Sequence, residues 1–230
     1  MTALVVLPGL DGTATMLSAF ADAARSHFSS VQVIAYPRDR ALGYRALEEL
    51  VRAKLPIAGA FVLLGESFSG PVAMSIAGNP PAGLVGLVLS TTFSKAPIPL
   101  LAPLASFAAF APVRLPTALL SWFLLGRWST PELRSSLASA LALVSPTVLR
   151  SRAAAALRAD ASASLGAISI PVLYLRATQD RLLPATTIGS ITAAIPHASV
   201  VDIPGPHLLL QAAPERAAKV IADHWGGQAG

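Results

Sequence analysis

The sequence predicts an α/β protein: one mostly parallel sheet of about six strands, flanked by helices, with a helical insertion after the fourth strand. Three observations carry this. Short apolar, β-branched runs alternate with amphipathic helical patterns. The alternation stops near residue 94 and resumes after residue 166. The chain of 230 residues is 53% hydrophobic and only 13% charged, which suits one well-buried core and excludes disorder.

The elements follow in order. Ala3-Leu4-Val5-Val6-Leu7 is an apolar run stopped by Pro8-Gly9. A helix is expected over residues 14–25 and a strand over 31–36. Residues 44–55 form a better helix, with Tyr44, Leu47, Leu50, Val51 and Leu55 at 3-4 spacing on one face. Phe61-Val62-Leu63-Leu64 is the third strand, 70–77 opens the third helix, and 84–89 is the fourth strand. Residues 94–166 are rich in Ala, Leu and Pro and offer no strand. Val172-Leu173-Tyr174-Leu175 restores the alternation, followed by a helix over 186–194, a sixth strand over 199–203 and a last helix over 214–224. Residues 1–93 and 167–230 are thus expected to make the core, and 94–166 a helical cap.

Composition narrows the function classes. There is no cysteine, which removes disulfides, thiolate zinc sites and thiol catalysis, and agrees with a cytoplasmic location. The first residues lack the basic start of a signal peptide. The uncharged stretch over residues 96–113 is interrupted by Pro97, Pro99, Pro103 and Pro112, so no integral membrane segment is expected there. The net charge of +5 comes from scattered Arg with no basic run, which gives nucleic-acid binding no support. Nothing in the sequence specifies an oligomeric state.

In parallel sheets of this kind, chemistry sits in the loops that follow the strands. Gly65-Glu66-Ser67-Phe68-Ser69-Gly70 lies between an apolar strand and a helix, the setting of a G-x-S-x-G nucleophile elbow. Small residues at Gly65, Ser69 and Gly70 permit a turn sharp enough to project the Ser67 hydroxyl. A serine needs a base. Of the four histidines, His27 ends the first helix, His197 precedes the last strand and His224 lies in the final helix. His207 alone follows a strand, in Ile203-Pro204-Gly205-Pro206-His207. The imidazole needs an acceptor. Asp180 follows the fifth strand in Arg176-Ala177-Thr178-Gln179-Asp180, whereas Asp202 lies within a strand and Asp160 within the Ala-rich insertion. The order Ser, Asp, His is the one such sheets use.

Leu7-Pro8-Gly9-Leu10-Asp11-Gly12-Thr13 closes the first strand, and its glycines let the backbone turn tightly toward a bound oxygen. The N–H groups of Leu10 and Phe68 are the expected oxyanion donors. Asp11 is expected to stabilise the loop or to touch substrate. The phosphate-cradling patterns G-x-x-x-x-G-K-[ST] and G-x-G-x-x-G are absent.

With LPGLDGT, GESFSG, LRATQD and GPHLLLQAAPE in place, the chain resembles the α/β-hydrolase superfamily over nearly its whole length, and small bacterial members in particular. The resemblance implies the three-layer α/β-hydrolase fold, with Ser67, Asp180 and His207 as triad and Leu10 and Phe68 on the oxyanion. It also implies no metal and no organic cofactor. The family's usual His-Gly is here Pro8-Gly9, which leaves Leu10 and Asp11 as alternatives for the first donor. The family's opening antiparallel hairpin is missing, so an all-parallel six-stranded sheet is expected.

The insertion enters where the family's cap does. Its Phe107, Phe110, Trp122, Phe123 and Trp128 either pack the cap or line an apolar acyl pocket, and Lys95, Arg114 and Arg127 are expected to face water. The expected activity is hydrolysis of a small-molecule apolar ester through an acyl-enzyme. The PGLDGT opening also resembles plastid phytyl ester synthase-type acyltransferases, which makes transfer to an alcohol an alternative. A hydrolase-like ligand-binding protein with an idle triad is a third.

Overall fold

The computed structural model describes residues 2–97 and 116–226. Within them one sheet is built from β1 (Ala3–Leu7), β2 (Val31–Val33), β3 (Phe61–Glu66), β4 (Leu84–Ser90), β5 (Val172–Ala177) and β6 (Ser199–Ile203). The order across the sheet is β2-β1-β3-β4-β5-β6, and every neighbouring pair is parallel, as anticipated. The order reverses between β1 and β3. A doubly wound sheet opens a crevice at that point, at the carboxyl ends of its strands.

The helices of the core are α1 (Ser18–Ala24, led by a 3₁₀ turn at Thr15–Leu17), α2 (Tyr44–Arg52) and α3 (Gly70–Gly78). In the insertion lie α4 (Thr117–Leu124), α5 (Pro131–Ala142), α6 (Pro146–Ala156) and α7 (Ser162–Leu165). After β5 come α8 (Thr186–Ala194), α9 (Leu209–Ala212) and α10 (Pro214–Gly226).

The pleat divides the strands between two apolar clusters. Val5, Leu7, Leu63, Leu87 and Leu89 face Leu47 and Val51 of α2, Val72 and Ile76 of α3 and Ile191 of α8. Leu4, Val6, Val62, Leu64, Val88 and Leu173 face Phe20 of α1 and Ala217 and Ile221 of α10. Burial on both faces explains why these strands read as unbroken apolar runs rather than alternating ones. This is the expected three-layer architecture.

β2 and α2 each end three residues short of expectation. β2 stops at Val33: Ile34 N–H still reaches Val6 O at 2.9 Å, but Tyr36 N–H turns to Gly12 O at 2.8 Å, and Pro37 has no donor. α2 stops at Arg52 because Lys54 N–H closes a tight turn on Val51 O at 2.8 Å, just before Pro56.

The insertion leaves and rejoins the core at one point. Ala96 N–H donates to Ala159 O and Ala161 N–H to Ser94 O, both at 2.8 Å, around an antiparallel bridge between Lys95 and Asp160. It docks through Leu125, Leu137 and Ala140, which pack with Met16 and Leu208 of the core. Phe107, Phe110, Arg114, Pro99, Pro103 and Pro112 lie outside the described residues. Among the described residues no helix is long and apolar enough to cross a membrane.

One side chain ties the end of β4 to β5. The buried Tyr174 hydroxyl accepts from Thr92 N–H at 3.0 Å and donates to Thr92 O at 2.7 Å. Tyr174→Phe leaves both backbone groups unpaired in the interior, and urea denaturation should show a loss of about 1–3 kcal/mol.

Candidate active site

The chain reverses at the end of β3 through a 3₁₀ turn, Ser67–Ser69, that runs directly into α3. Ser67 has φ +47°, a left-handed conformation that an L side chain adopts only when its surroundings impose it. Those surroundings are close. A Cβ on Gly65 would sit 2.7 Å from Ala73 Cβ, and one on Gly70 would overlap Thr92. The Thr92 hydroxyl donates to Ser67 O, and the Ser69 hydroxyl donates to Pro8 O while meeting Tyr36 Oη at 2.6 Å. The Phe68 ring is buried and stacks on Tyr44 at 4.9 Å, so the turn is anchored from both sides.

The structure brings Ser67, His207 and Asp180 together. Ser67 Oγ lies 2.8 Å from His207 Nε2, across 140 residues of sequence. His207 Nδ1 lies 2.8 Å from Asp180 Oδ2. The loops carrying them are held side by side because β5 and β6 keep pairing past their ends: Thr178 N–H reaches Ile203 O at 3.1 Å and Gln179 N–H reaches Gly205 O at 3.0 Å. Asp180 Oδ1 accepts from Leu182 N–H at 2.8 Å and Leu183 N–H at 2.9 Å. Burial works to raise its pKa, but the hydrogen bond and charge of His207 and the two amides outweigh it, and the pKa is lowered. An ionised Asp180 only accepts, so Nδ1 carries the proton and Nε2 is left to accept from the Ser67 hydroxyl.

The other histidines and the rival aspartates Asp202 and Asp160 are elsewhere. His27 is exposed, His197 bonds Ile170 O at 3.1 Å, and His224 packs against Trp225. Asp202 pairs with Arg176, and Asp160 caps the start of α7 through Ser162. Among the described residues no cluster of three or more His, Asp or Glu is placed to hold a metal ion.

The loop after β1 crosses the crevice, and its donors can be accounted for one by one. Gly9 N–H goes to Glu66 Oε2 at 3.2 Å, Gly12 N–H to Gly9 O at 3.0 Å and Thr13 N–H to Asp11 Oδ2 at 2.8 Å. Asp11 thus braces its own loop. No hydrogen bond within the described residues engages the N–H of Leu10 or of Asp11. These two remain available to an incoming oxygen, alongside the first amides of the Ser67–Ser69 turn.

The insertion borders the same region. Leu208 N–H, next to His207, donates to Leu124 O at 3.0 Å, and Trp128 Nε1 donates to Gln179 Oε1 at 2.7 Å, next to Asp180. A cavity of about 350 Å³ there is lined by Leu125, Trp128, Gln179 and Asp180, and a second of about 280 Å³ by Thr91, Tyr174, Asp180 and Ile188. Trp122 and Phe123 pack edge to face 4.8 Å apart and are exposed, with the Arg181 guanidinium 4.8 Å above Trp122. Lys95 and Arg127 are exposed.

A match to the model of the alpha/beta hydrolase family runs over residues 4–220. The chain belongs to this family. No curated protein matches it by sequence. Its fold is similar to that of a lipase-esterase related protein from Clostridium acetobutylicum, with 13% identity, a TM-score of 0.80 and coverage of 96% of this chain and 93% of that one. It is also similar to a thermophilic esterase from Thermogutta terrifontis, with 22% identity, a TM-score of 0.77 and coverage of 99% and 90%. A third is the enol-lactonase from Burkholderia xenovorans, at 17% identity, TM-score 0.77 and coverage of 96% and 90%.

Sequence reasoning missed three features of this alpha/beta hydrolase site. Tyr36 braces the Ser67–Ser69 turn through Ser69. Arg152 of α6 is buried against the β1 loop. Glu66, buried beside Ser67, joins Gly9 N–H to Gln211 Nε2, the latter at 2.9 Å. Burial raises the Glu66 pKa from its ordinary 4.5 to about 7; nearby Asp11 adds to the rise, and the Gln211 bond, the His207 charge and the Gly9 amide oppose it. Gln211 Oε1 is buried without a partner, and a protonated Glu66 could donate to it once the amide flips.

The folded state then holds the Glu66 proton more tightly than the unfolded chain does. Stability from this group is full below 4.5 and falls as pH rises toward 7, by about 3 kcal/mol in all. Glu66→Gln, neutral throughout, should lose this decline. Urea denaturation across the interval should show the variant gaining on the wild type as pH rises.

Proposed function

We propose that this alpha/beta hydrolase is a serine ester hydrolase. The observation that carries the reading is the hydrogen-bonded line from the Ser67 hydroxyl through buried His207 to a partly buried, ionised Asp180. As Ser67 Oγ attacks an ester carbonyl carbon, its proton passes to His207 Nε2, and Asp180 stabilises the imidazolium. The carbonyl oxygen, now an oxyanion, is met by the Phe68 N–H and by the free amide of Leu10, with Asp11 N–H as the alternative donor. His207 then protonates the leaving alkoxide, which gives the acyl-enzyme and an alcohol. A water molecule, deprotonated by His207, attacks the acyl carbon and releases the acid and the Ser67 hydroxyl.

We assign the insertion the role of a cap that selects an apolar acyl group. The support is its position against the His207 and Asp180 loops and the apolar Leu119, Trp122 and Phe123 that it leaves exposed. The solved structures of similar fold named above include an esterase and an enol-lactonase, in keeping with this chemistry.

A fluorophosphonate probe should label the wild type and leave Ser67→Ala unlabelled; an unlabelled wild type would return the chain to the class of ligand-binding proteins. Asp180→Asn should lower kcat on a p-nitrophenyl ester by about 10,000-fold, the cost of the wrong imidazole tautomer in comparable sites. In an ester series of increasing acyl length, activity should rise beyond acetate. Cleavage of acetate alone removes the apolar acyl group from the reading. Adding a long-chain alcohol to the assay separates hydrolysis from acyl transfer by the product formed.

A further inference from the structure

Arg152 is a charged side chain 1% exposed, on a helix of the insertion, with its guanidinium against the β1 loop of the core. Nη1 donates to Leu10 O at 3.1 Å and to Asp11 O at 2.6 Å, and Nη2 donates to Pro37 O at 2.8 Å. Its carbon lies 5.6 Å from the centre of the Tyr36 ring. Gly12, at φ +68°, is the neighbour that makes room: a Cβ there would overlap the guanidinium.

A trans peptide places its C=O and N–H on opposite sides, so whatever holds one aims the other. The Gly9 carbonyl is held by Gly12 N–H, which fixes the Leu10 N–H, and Arg152 on the Asp11 carbonyl aims that Gly12 N–H in turn. The Leu10 carbonyl is held by Arg152, which fixes the Asp11 N–H and stops the Leu10–Asp11 peptide from flipping. These are the two amides of the loop without partners. Burying a guanidinium is costly unless its hydrogen bonds are made, and three carbonyls turned toward one fork satisfy most of it.

We propose that Arg152 is a positioning residue that aims the oxyanion donors of the β1 loop, so that acylation of Ser67 depends on the insertion being docked. The proposal rests on the serine hydrolase reading for its kinetic consequence, and on the contacts of Arg152 alone for its mechanical one. A donor that points elsewhere is lost to the transition state but does little to ground-state binding. Removing one such donor costs about 100- to 1,000-fold in kcat in comparable sites.

Two variants separate this role from simple packing. Arg152→Ala leaves a cavity that free guanidinium ion fits, and Arg152→Lys keeps the charge but has no planar fork to span three carbonyls. The expected result for Arg152→Ala is a fall in kcat and in fluorophosphonate labelling rate of about 100-fold, with KM within about threefold. Sub-denaturing guanidinium should restore the rate and plain salt should not, and Arg152→Lys should fall between the two. Hydrogen–deuterium exchange provides a readout free of turnover: the hydrogen-bonded amides of Gly12 and Thr13 should exchange faster in both variants while β3 keeps its protection.

Folded variants with unchanged loop exchange and unchanged kcat overturn the proposal. So does a kcat that falls only with the folded fraction and does not respond to guanidinium. If the wild type neither labels nor turns over, the hydrolase reading fails on its own, and the exchange arm still decides whether Arg152 holds the loop.

Discussion

The site rests on a backbone that is bent where an L residue resists bending. Ser67 is held at φ +47° because β3 ends against the start of α3 with no space between them, and the Thr92 hydroxyl takes hold of its carbonyl. A relaxed turn would carry the hydroxyl away from His207 and bury it under the helix. Strain of this kind typically costs on the order of 1–3 kcal/mol, and it persists only because the six-stranded sheet over-determines it. The chemistry and the stability of the core are therefore opposed at one residue and reconciled by the packing of its neighbours.

Around that turn the polar side chains act on backbone as well as on one another. Ser69 reaches Pro8 O, Glu66 reaches Gly9 N–H, Tyr174 reaches both polar groups of Thr92, and Asp180 takes two amides besides His207. The first three join the loop of one strand to the end of another, and the last braces the Asp180 loop itself. The three loops that meet at Ser67 are consequently fixed relative to one another by short contacts whose partners are far apart in the chain. That arrangement suits donors and acceptors that must be in place before a charge develops.

Much of this was legible in the sequence because it is local. An apolar run followed by Gly65-x-Ser67-x-Ser69-Gly70 specifies strand, sharp turn and helix within a dozen residues; the runs at 3–7 and 172–175 are buried strands with clear stops, and 199–203 is an edge strand with mostly exposed side chains. Asp180 and His207 were readable because each immediately follows such a run. Glu66 was not, since a carboxylate inside the elbow motif looks like its variable position; only the fold shows it at 1% exposure between Gly9 and Gln211. Arg152 was hidden by the Ala-rich passage around it. A signal existed: it lies four residues after Val148, and both are 1% exposed on the same helix face. A lone Arg on an apolar stripe asks what it is paired with, and the answer was a loop more than a hundred residues earlier. Tyr36 left the strand expected for it because its N–H had a better acceptor in Gly12, a contact that no local pattern encodes.

The paired neck at Ser94–Ala96 and Ala159–Ala161 has a consequence for how such a protein diversifies. Because the segment departs and returns through adjoining strands of backbone, its length can change without shifting any strand of the sheet, and closing a longer excursion adds little entropy. On the proposed reading, substrate choice can then drift while Ser67, His207 and Asp180 stay where they are. The freedom has one tether. Any replacement segment must still deliver a cation beneath the first loop, or three carbonyls there will be left facing a hole.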